Sequence, residues 1–265
     1  MTVPDSLRTV KAELPRWTRD PVTLVTMGAL VGLCGVLSYL AVNVATGDAS
    51  SGGGGLQLQT STVLDAGSTD DELAAMARSS LTMLVPIAAI ALGVRAAGGE
   101  MSSGALLQLA VATRRLRRLF LVRAGIVLVL VGVAGAASAV VALAGTDAAI
   151  SGAPEVAHLS AWHSAGSTIA GAAAQGVLIG LIAFGLAALT RRWVAITIAM
   201  IVYLVGLEPL LTGLLGRGSV WLPRAATSEL LVPGPDLAHV APTVACALVL
   251  ATMAVLSLRR DRAAR

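Results

Sequence analysis

Charge is scarce in this chain: Asp, Glu, Lys and Arg together make up 13% of 265 residues. Aromatic residues reach only 3%, and there are two cysteines and three histidines. A soluble domain of this length carries roughly twice that share of charge, so a soluble globular fold is excluded. Cys34 and Cys246 each fall inside an apolar run and read as small buried residues, which leaves no disulfide framework. His158, His163 and His239 are scattered near the ends of apolar runs, so no metal site is expected. No nucleophile triad, HExxH, paired carboxylate within an apolar run or phosphate-binding GxxxxGK[ST] is found. The glycines of Ser50 to Gly55 lack the Lys-Ser or Lys-Thr that nucleotide binding needs.

What is present is apolar sequence in long runs, with 56% of residues hydrophobic. A hydrocarbon core about 30 Å thick needs roughly 20 helical residues to cross it. Six such runs are found, at residues 22–44, 73–94, 124–144, 164–189, 194–211 and 240–258. The alternation of an outer-membrane strand is absent. The expected fold is therefore an all-α membrane protein with a single six-helix transmembrane domain over 21–265.

Residues 1–20 carry Val3, Leu7, Val10, Leu14 and Trp17 at alternating spacings of four and three, one apolar face of a helix. They read as an interfacial helix on the cytoplasmic leaflet with Trp17 at headgroup level, or else as a solvated tail. Pro15 and Pro21 are expected to kink or break it. Thr69 to Glu72 matches a capping box that starts the second span. Residues 212–238 are apolar but interrupted by Gly and Pro, which suggests a re-entrant-like element between spans five and six.

Sidedness follows from the cations. With both termini inside, all of the nineteen Lys and Arg lie on the cytoplasmic side except Arg78, Arg217 and Arg224. That is a strong positive-inside asymmetry. Lys11 is the only lysine, an arginine bias that points to a GC-rich genome; the expected location is the plasma membrane of a bacterium. The net charge of +4 is explained by this topology and calls for no nucleic acid.

Several small or polar residues inside the spans are candidates for packing or function. Gly28 with Gly32, and Gly176 with Gly180, form small-xxx-small pairs suited to helix interfaces. Gln175 in span four reads as a bond to a neighbouring helix or as a substrate contact. Glu208, followed by Pro209 near the outer end of span five, reads as a functional ionisable group or as a capping residue. Gln175 and Glu208 are the two candidates for a substrate path.

The longest polar-headed connection lies between spans two and three, over 98–123. Glu100 opens it and Gly104 follows four residues on. Leu106, Leu107 and Leu109 supply apolar contact, and Arg114, Arg115, Arg117, Arg118 and Arg123 close it. The arginines read either as a topology anchor or as a contact for lipid and acidic groups. This segment resembles the first cytoplasmic loop of type-2 ABC exporter permeases, in which Glu is followed by Gly-Thr, leucines, Pro, Arg and a closing Lys. Ala105 replaces the Thr, Thr113 stands at the Pro and Arg123 at the Lys. The layout of six spans with an N-terminal amphipathic helix is also similar.

The resemblance implies the membrane subunit of an ATP-driven exporter, with a path for an apolar or amphipathic cargo such as a drug, a lipid-like molecule or a peptide. It implies that Glu100, Met101, Gly104, Leu106, Leu107, Arg114 and Arg115 couple the chain to a separate ABC ATPase subunit. A second permease copy or homologue and membrane lipids are the other implied partners. No cofactor is expected on this chain; ATP and Mg would sit on the ATPase, so the chain itself is no enzyme. Two other readings stay open: a non-transporting scaffold or sensor subunit, and an ion-gradient-driven transporter that uses Glu208.

Overall fold

The computed structural model describes residues 14–15, 17–46, 64, 67–98, 116–152 and 156–263. Among these there is no strand, and six helical stretches are long and apolar enough to cross a membrane. The long helices are α1 (Pro21–Thr46), α2 (Asp70–Gly98), α3 (Leu116–Ile150) and α4 (Ala165–Thr190), the last entered through a 3-10 turn at Ala161–Ser164. The fifth crossing is composite. It consists of α5 (Trp193–Val202), a π-turn at Tyr203–Leu207 and α6 (Glu208–Leu215). A 3-10 turn (Gly216–Trp221), the short α7 (Pro223–Ser228) and another 3-10 turn (Glu229–Leu231) lead to α8 (Leu237–Ala263). The chain is a helical, multi-pass membrane protein.

Local sequence explains the starts of these helices. Thr69 and Glu72 cap α2 reciprocally: the Thr69 N–H donates to Glu72 Oε2 at 2.9 Å, and the Glu72 N–H donates to Thr69 Oγ1 at 3.4 Å. Asp70, Asp71 and Glu72 sit in the first turn, where the helix dipole favours anions. Asp20 caps α1, its Oδ2 accepting from the Thr23 N–H at 2.8 Å and the Thr23 hydroxyl at 2.6 Å. Pro21 therefore opens α1 at the one turn where a missing N–H costs nothing; its effect is to start a helix.

Cross-links place helix ends together. Arg95 near the end of α2 meets Asp20 at the start of α1, with Nη2 and Oδ1 2.9 Å apart, and Gly98 abuts Trp193 at the start of α5. At the opposite end, Asp70 Oδ1 accepts from the Ser160 N–H at 2.8 Å, and the Leu64 N–H donates to the Ala45 carbonyl at 3.2 Å. Arg95, Arg191 and Arg192 thus share one end of the bundle, while Arg78 and Arg224 lie away from it.

α4 is the centre of the packing and touches α2, α3, α5, α7 and α8. In a bilayer, lipid tails are as apolar as leucine, so helix association depends on close fit, and small residues allow it. A methyl on Gly93 of α2 would collide with the Gly180 carbonyl of α4, and one on Gly145 of α3 would stand 2.6 Å from the Gly35 carbonyl of α1. The crossing stretches of α2 and α4 are 67% and 61% buried, against 11% for Trp193–Leu215 and 22% for Leu237–Ser257. The fifth and last crossings are therefore peripheral. Cys246 lies exposed on α8, contrary to the buried place expected for it; Cys34 is buried.

Two differences concern the basic end. Trp17, expected at headgroup level, is only 9% exposed and joins a core that includes Ile90, Phe120 and Phe184. The Phe120 and Phe184 rings pack 4.7 Å apart between centroids, tilted by 45°. Helix α3 begins at Leu116, so the last part of the 98–123 connection is already helical, and Arg123 is buried within it. Residues 1–13 and 16 of the expected interfacial helix lie outside the described residues.

Candidate functional site

The fifth crossing is a mostly apolar rod with one charged residue. Val202, Val205, Leu207, Leu210 and Leu214 are all exposed, whereas Glu208 is 1% exposed. The backbone explains how a carboxylate is turned inward there. Pro209 has no N–H, and a proline ring inside a helix clashes with the carbonyl four residues before it. The chain answers with a π-turn over Tyr203–Leu207, in which the Glu208 N–H donates to the Tyr203 carbonyl five residues back. One extra residue per turn rotates everything beyond it, a distortion common at functional positions.

Glu208 meets α7 with that rotation in place. Helix α7 starts at Pro223 after Leu222, whose side chain cannot cap it. The missing acceptor comes from another helix: Glu208 Oε1 accepts from the Arg224 N–H at 2.7 Å and the Ala225 N–H at 3.0 Å. The Arg224 guanidinium reaches back, Nη1 donating to the Leu204 carbonyl at 3.3 Å. Of the two uses expected for Glu208, capping is thus occupied by one oxygen. The other oxygen, Oε2, is buried without a hydrogen-bond partner.

The same short segment also packs on α4. Gln175 is fully buried, and its Nε2 donates to Thr227 Oγ1 at a long 3.5 Å. Thr168 Oγ1 donates to the Leu231 carbonyl at 3.4 Å. Gly171 lies against the backbone of Leu230, leaving no room for a side chain. Gln175 stands about 15 Å along α4 from its start, so the chain between the fifth and last crossings is packed well down the helix. Gln175 Oε1 and Thr243 Oγ1 are also buried without partners.

The two substrate-path candidates, Gln175 and Glu208, are therefore both brought against α7, Glu208 at its N-terminal N–H groups and Gln175 at Thr227. Sequence reasoning did not single out the residues between them, Arg224 and Thr227. A usable signal was there: Pro223 opens a helix with no Ser, Thr, Asp or Asn before it, so an acceptor had to come from elsewhere.

Gly176 and Gly180 face neighbours as interface residues do; a methyl on Gly176 would lie 3.0 Å from Val131 Cγ1, and one on Gly180 3.6 Å from the Ala89 carbonyl. A methyl on Gly28 or Gly32 would meet nothing within 4 Å, and both lie on the exposed face of α1. Glu100, Met101, Gly104, Leu106, Leu107, Arg114 and Arg115 lie outside the described residues.

Among the described residues no group of three or more His, Cys, Asp or Glu is placed to hold a metal ion. His239 Nδ1 lies 3.7 Å from Asp236 Oδ2, and Trp221 meets the His239 ring edge-on at 5.9 Å. No family model matches this chain, and no curated protein matches it.

Proposed function

We propose that the chain is the membrane subunit of an ATP-driven exporter of the type-2 ABC kind, acting in a bacterial plasma membrane. In this reading two six-helix copies, or one copy and a homologue, form the path. Two separate ATP-hydrolysing subunits dock on the basic side, against the connection opened by Glu100. Both termini lie on that side, and the segment over 216–236 is a re-entrant element on the other.

The observation that carries this reading is the position of the connection between α2 and α3. It leaves α2 at the end that also holds Arg95, Arg191 and Arg192, beside Trp193 of α5. A force applied there acts on α2, which packs on α1, α3, α4 and α5. Cores packed to solid density move as blocks and do not deform smoothly. A push on the connection would then tilt the bundle, as a transporter powered from below requires. The exposed apolar faces of α1 and α5, with Val25, Val36, Ile198 and Val202, suit a path for an apolar or amphipathic cargo.

The test is purification from the native membrane in a mild detergent, followed by identification of what accompanies the chain. An ATPase with a phosphate-binding loop should co-purify and be lost in Glu100→Lys, with the permease still in the membrane. If the chain comes out alone, and vesicles holding only this chain move solute down an ion gradient, the exporter reading is wrong. Glu208 would then be the residue that carries coupling.

A further inference from the structure

The segment between α6 and α8 is held unevenly. Its start is fastened by two short bonds from backbone N–H groups to a carboxylate, 2.7 and 3.0 Å, both to Glu208 Oε1. Both lie within the ordinary range for an N–H donor and an oxygen acceptor. Its contacts to α4 are at the limit of hydrogen bonding, 3.5 Å for Gln175 with Thr227 and 3.4 Å for Thr168 with Leu231, where such bonds contribute little. The apolar seat consists of Ala226 and Leu231, both fully buried, and the Leu230 backbone against Gly171.

The ends of the segment are built to turn. Gly216 (φ +51°) and Gly234 (φ +70°) are the two positive-φ glycines among the described residues, and a methyl on either would meet nothing within 4 Å. Glycine passes between such conformations without steric penalty, and hinges absorb their φ/ψ change at a few residues of this sort. Beneath the segment, Thr168, Gly171 and Gln175 fall on one face of α4 at spacings of three and four. A hydroxyl and an amide are thereby covered in an otherwise apolar crossing, with Gln175 Oε1 lacking any partner.

We infer that residues 217–233 form a releasable strap, pinned to the bundle by Glu208 and hinged at Gly216 and Gly234, whose release uncovers the Thr168–Gln175 face of α4. Glu208 serves as a latch: its carboxylate oxygen replaces the cap that α7 lacks. When Glu208 lets go, the Arg224 and Ala225 N–H groups turn to water and the strap swings on its hinges. Gln175 and Thr168 then offer donors and an acceptor to a hydrogen-bonding group at that depth. The latch works whether or not an ATPase partner drives the protein.

The test is cysteine accessibility in purified, vesicle-embedded protein, on a Cys34→Ala, Cys246→Ser background carrying Ala226→Cys. A membrane-impermeant maleimide should label this cysteine slowly when Glu208 is present. Glu208→Ala removes the acceptor of two buried donors and should raise the labelling rate by at least about tenfold. Glu208→Gln keeps an amide oxygen in the same place and should leave the rate close to the parent value. Equal rates in Glu208→Ala and the parent, full-speed labelling in the parent, or Glu208→Gln as fast as Glu208→Ala would each overturn the latch. If Glu208→Ala does not reach the membrane, Arg224→Ala takes its place: it cuts the tie to the Leu204 carbonyl and should also speed labelling, and an unchanged rate would overturn the proposal. Loss of an ATPase partner in the purification experiment leaves this result unaffected, so the two readings fail separately.

Discussion

Asp20 and Arg95, seventy-five residues apart, meet at 2.9 Å and tie the first turn of α1 to the last turn of α2. The same carboxylate caps α1 through Thr23. One side chain therefore sets both where the first crossing begins and which helix end lies beside it. Arg95 gains in turn from its position near a helix C-terminus, where the dipole favours a cation.

Acid should weaken this junction. Burial pushes the Asp20 carboxyl up, but the Thr23 hydrogen bonds and the Arg95 charge together outweigh it and hold its pKa below the ordinary 3.8. A carboxylate with a depressed folded-state pKa stabilises the fold above the unfolded value, and that contribution disappears as pH falls through the lower, folded value. Thermal unfolding in detergent should therefore show no Asp20 contribution to pH dependence between pH 7 and 5 and a falling one below pH 4. Asp20→Asn should lack this part of the fall. Asp20→Ala, which also loses the cap, should cost about 1 kcal/mol at neutral pH.

Glycines of similar sequence context should respond in opposite ways to substitution. Gly93→Val drives a side chain into the Gly180 backbone and should destabilise the fold by about 1–3 kcal/mol or more. Gly32→Ala meets nothing within 4 Å and should be neutral or stabilising by up to about 1 kcal/mol through helix propensity. Unfolding midpoints in the same detergent compare them directly. A loss from Gly32→Ala in native membrane but not in detergent would mean that a second chain covers this face of α1.

Gln175 offers a sharper division between stability and activity. Its amide makes one long bond and leaves Oε1 without a partner. Its partner Thr227 keeps a bond from Oγ1 to the Pro223 carbonyl, so an apolar side chain of similar size at 175 orphans no donor and removes an unpaired oxygen. Gln175→Leu should therefore shift the unfolding midpoint by less than about 1 kcal/mol equivalent. If Gln175 faces the cargo, the same variant should lose transport while keeping its fold; unimpaired transport would assign the residue to packing alone.

Much of the architecture was legible from the residues. Six apolar runs of spanning length correspond to six helices, because in a bilayer the backbone must satisfy its own hydrogen bonds and helix is the local solution. The Thr69–Glu72 cap was readable for the same reason: its partners are three residues apart. Gly176 and Gly180 marked span four for helix interfaces, and α4 touches α2, α3, α5, α7 and α8. Which of two glycine pairs meets a neighbour was not readable, since both obey the same spacing and only the placement of other helices separates them.

Glu208 divides the two kinds of information most clearly. Composition and local spacing determined that a carboxylate stands in the fifth crossing, that a proline follows it, and that an apolar, Gly- and Pro-interrupted stretch comes after. They left open whether that carboxylate caps or works. Only the folded chain brings Arg224 and Ala225, sixteen and seventeen residues on, against Oε1 and leaves Oε2 buried beside them. The reason is physical: helix formation is a contest among neighbours within four residues, whereas a cap supplied across helices depends on a π-turn, a proline and the packing of α7 on α4 all at once, and none of these distances is written in the spacing of residues along the chain.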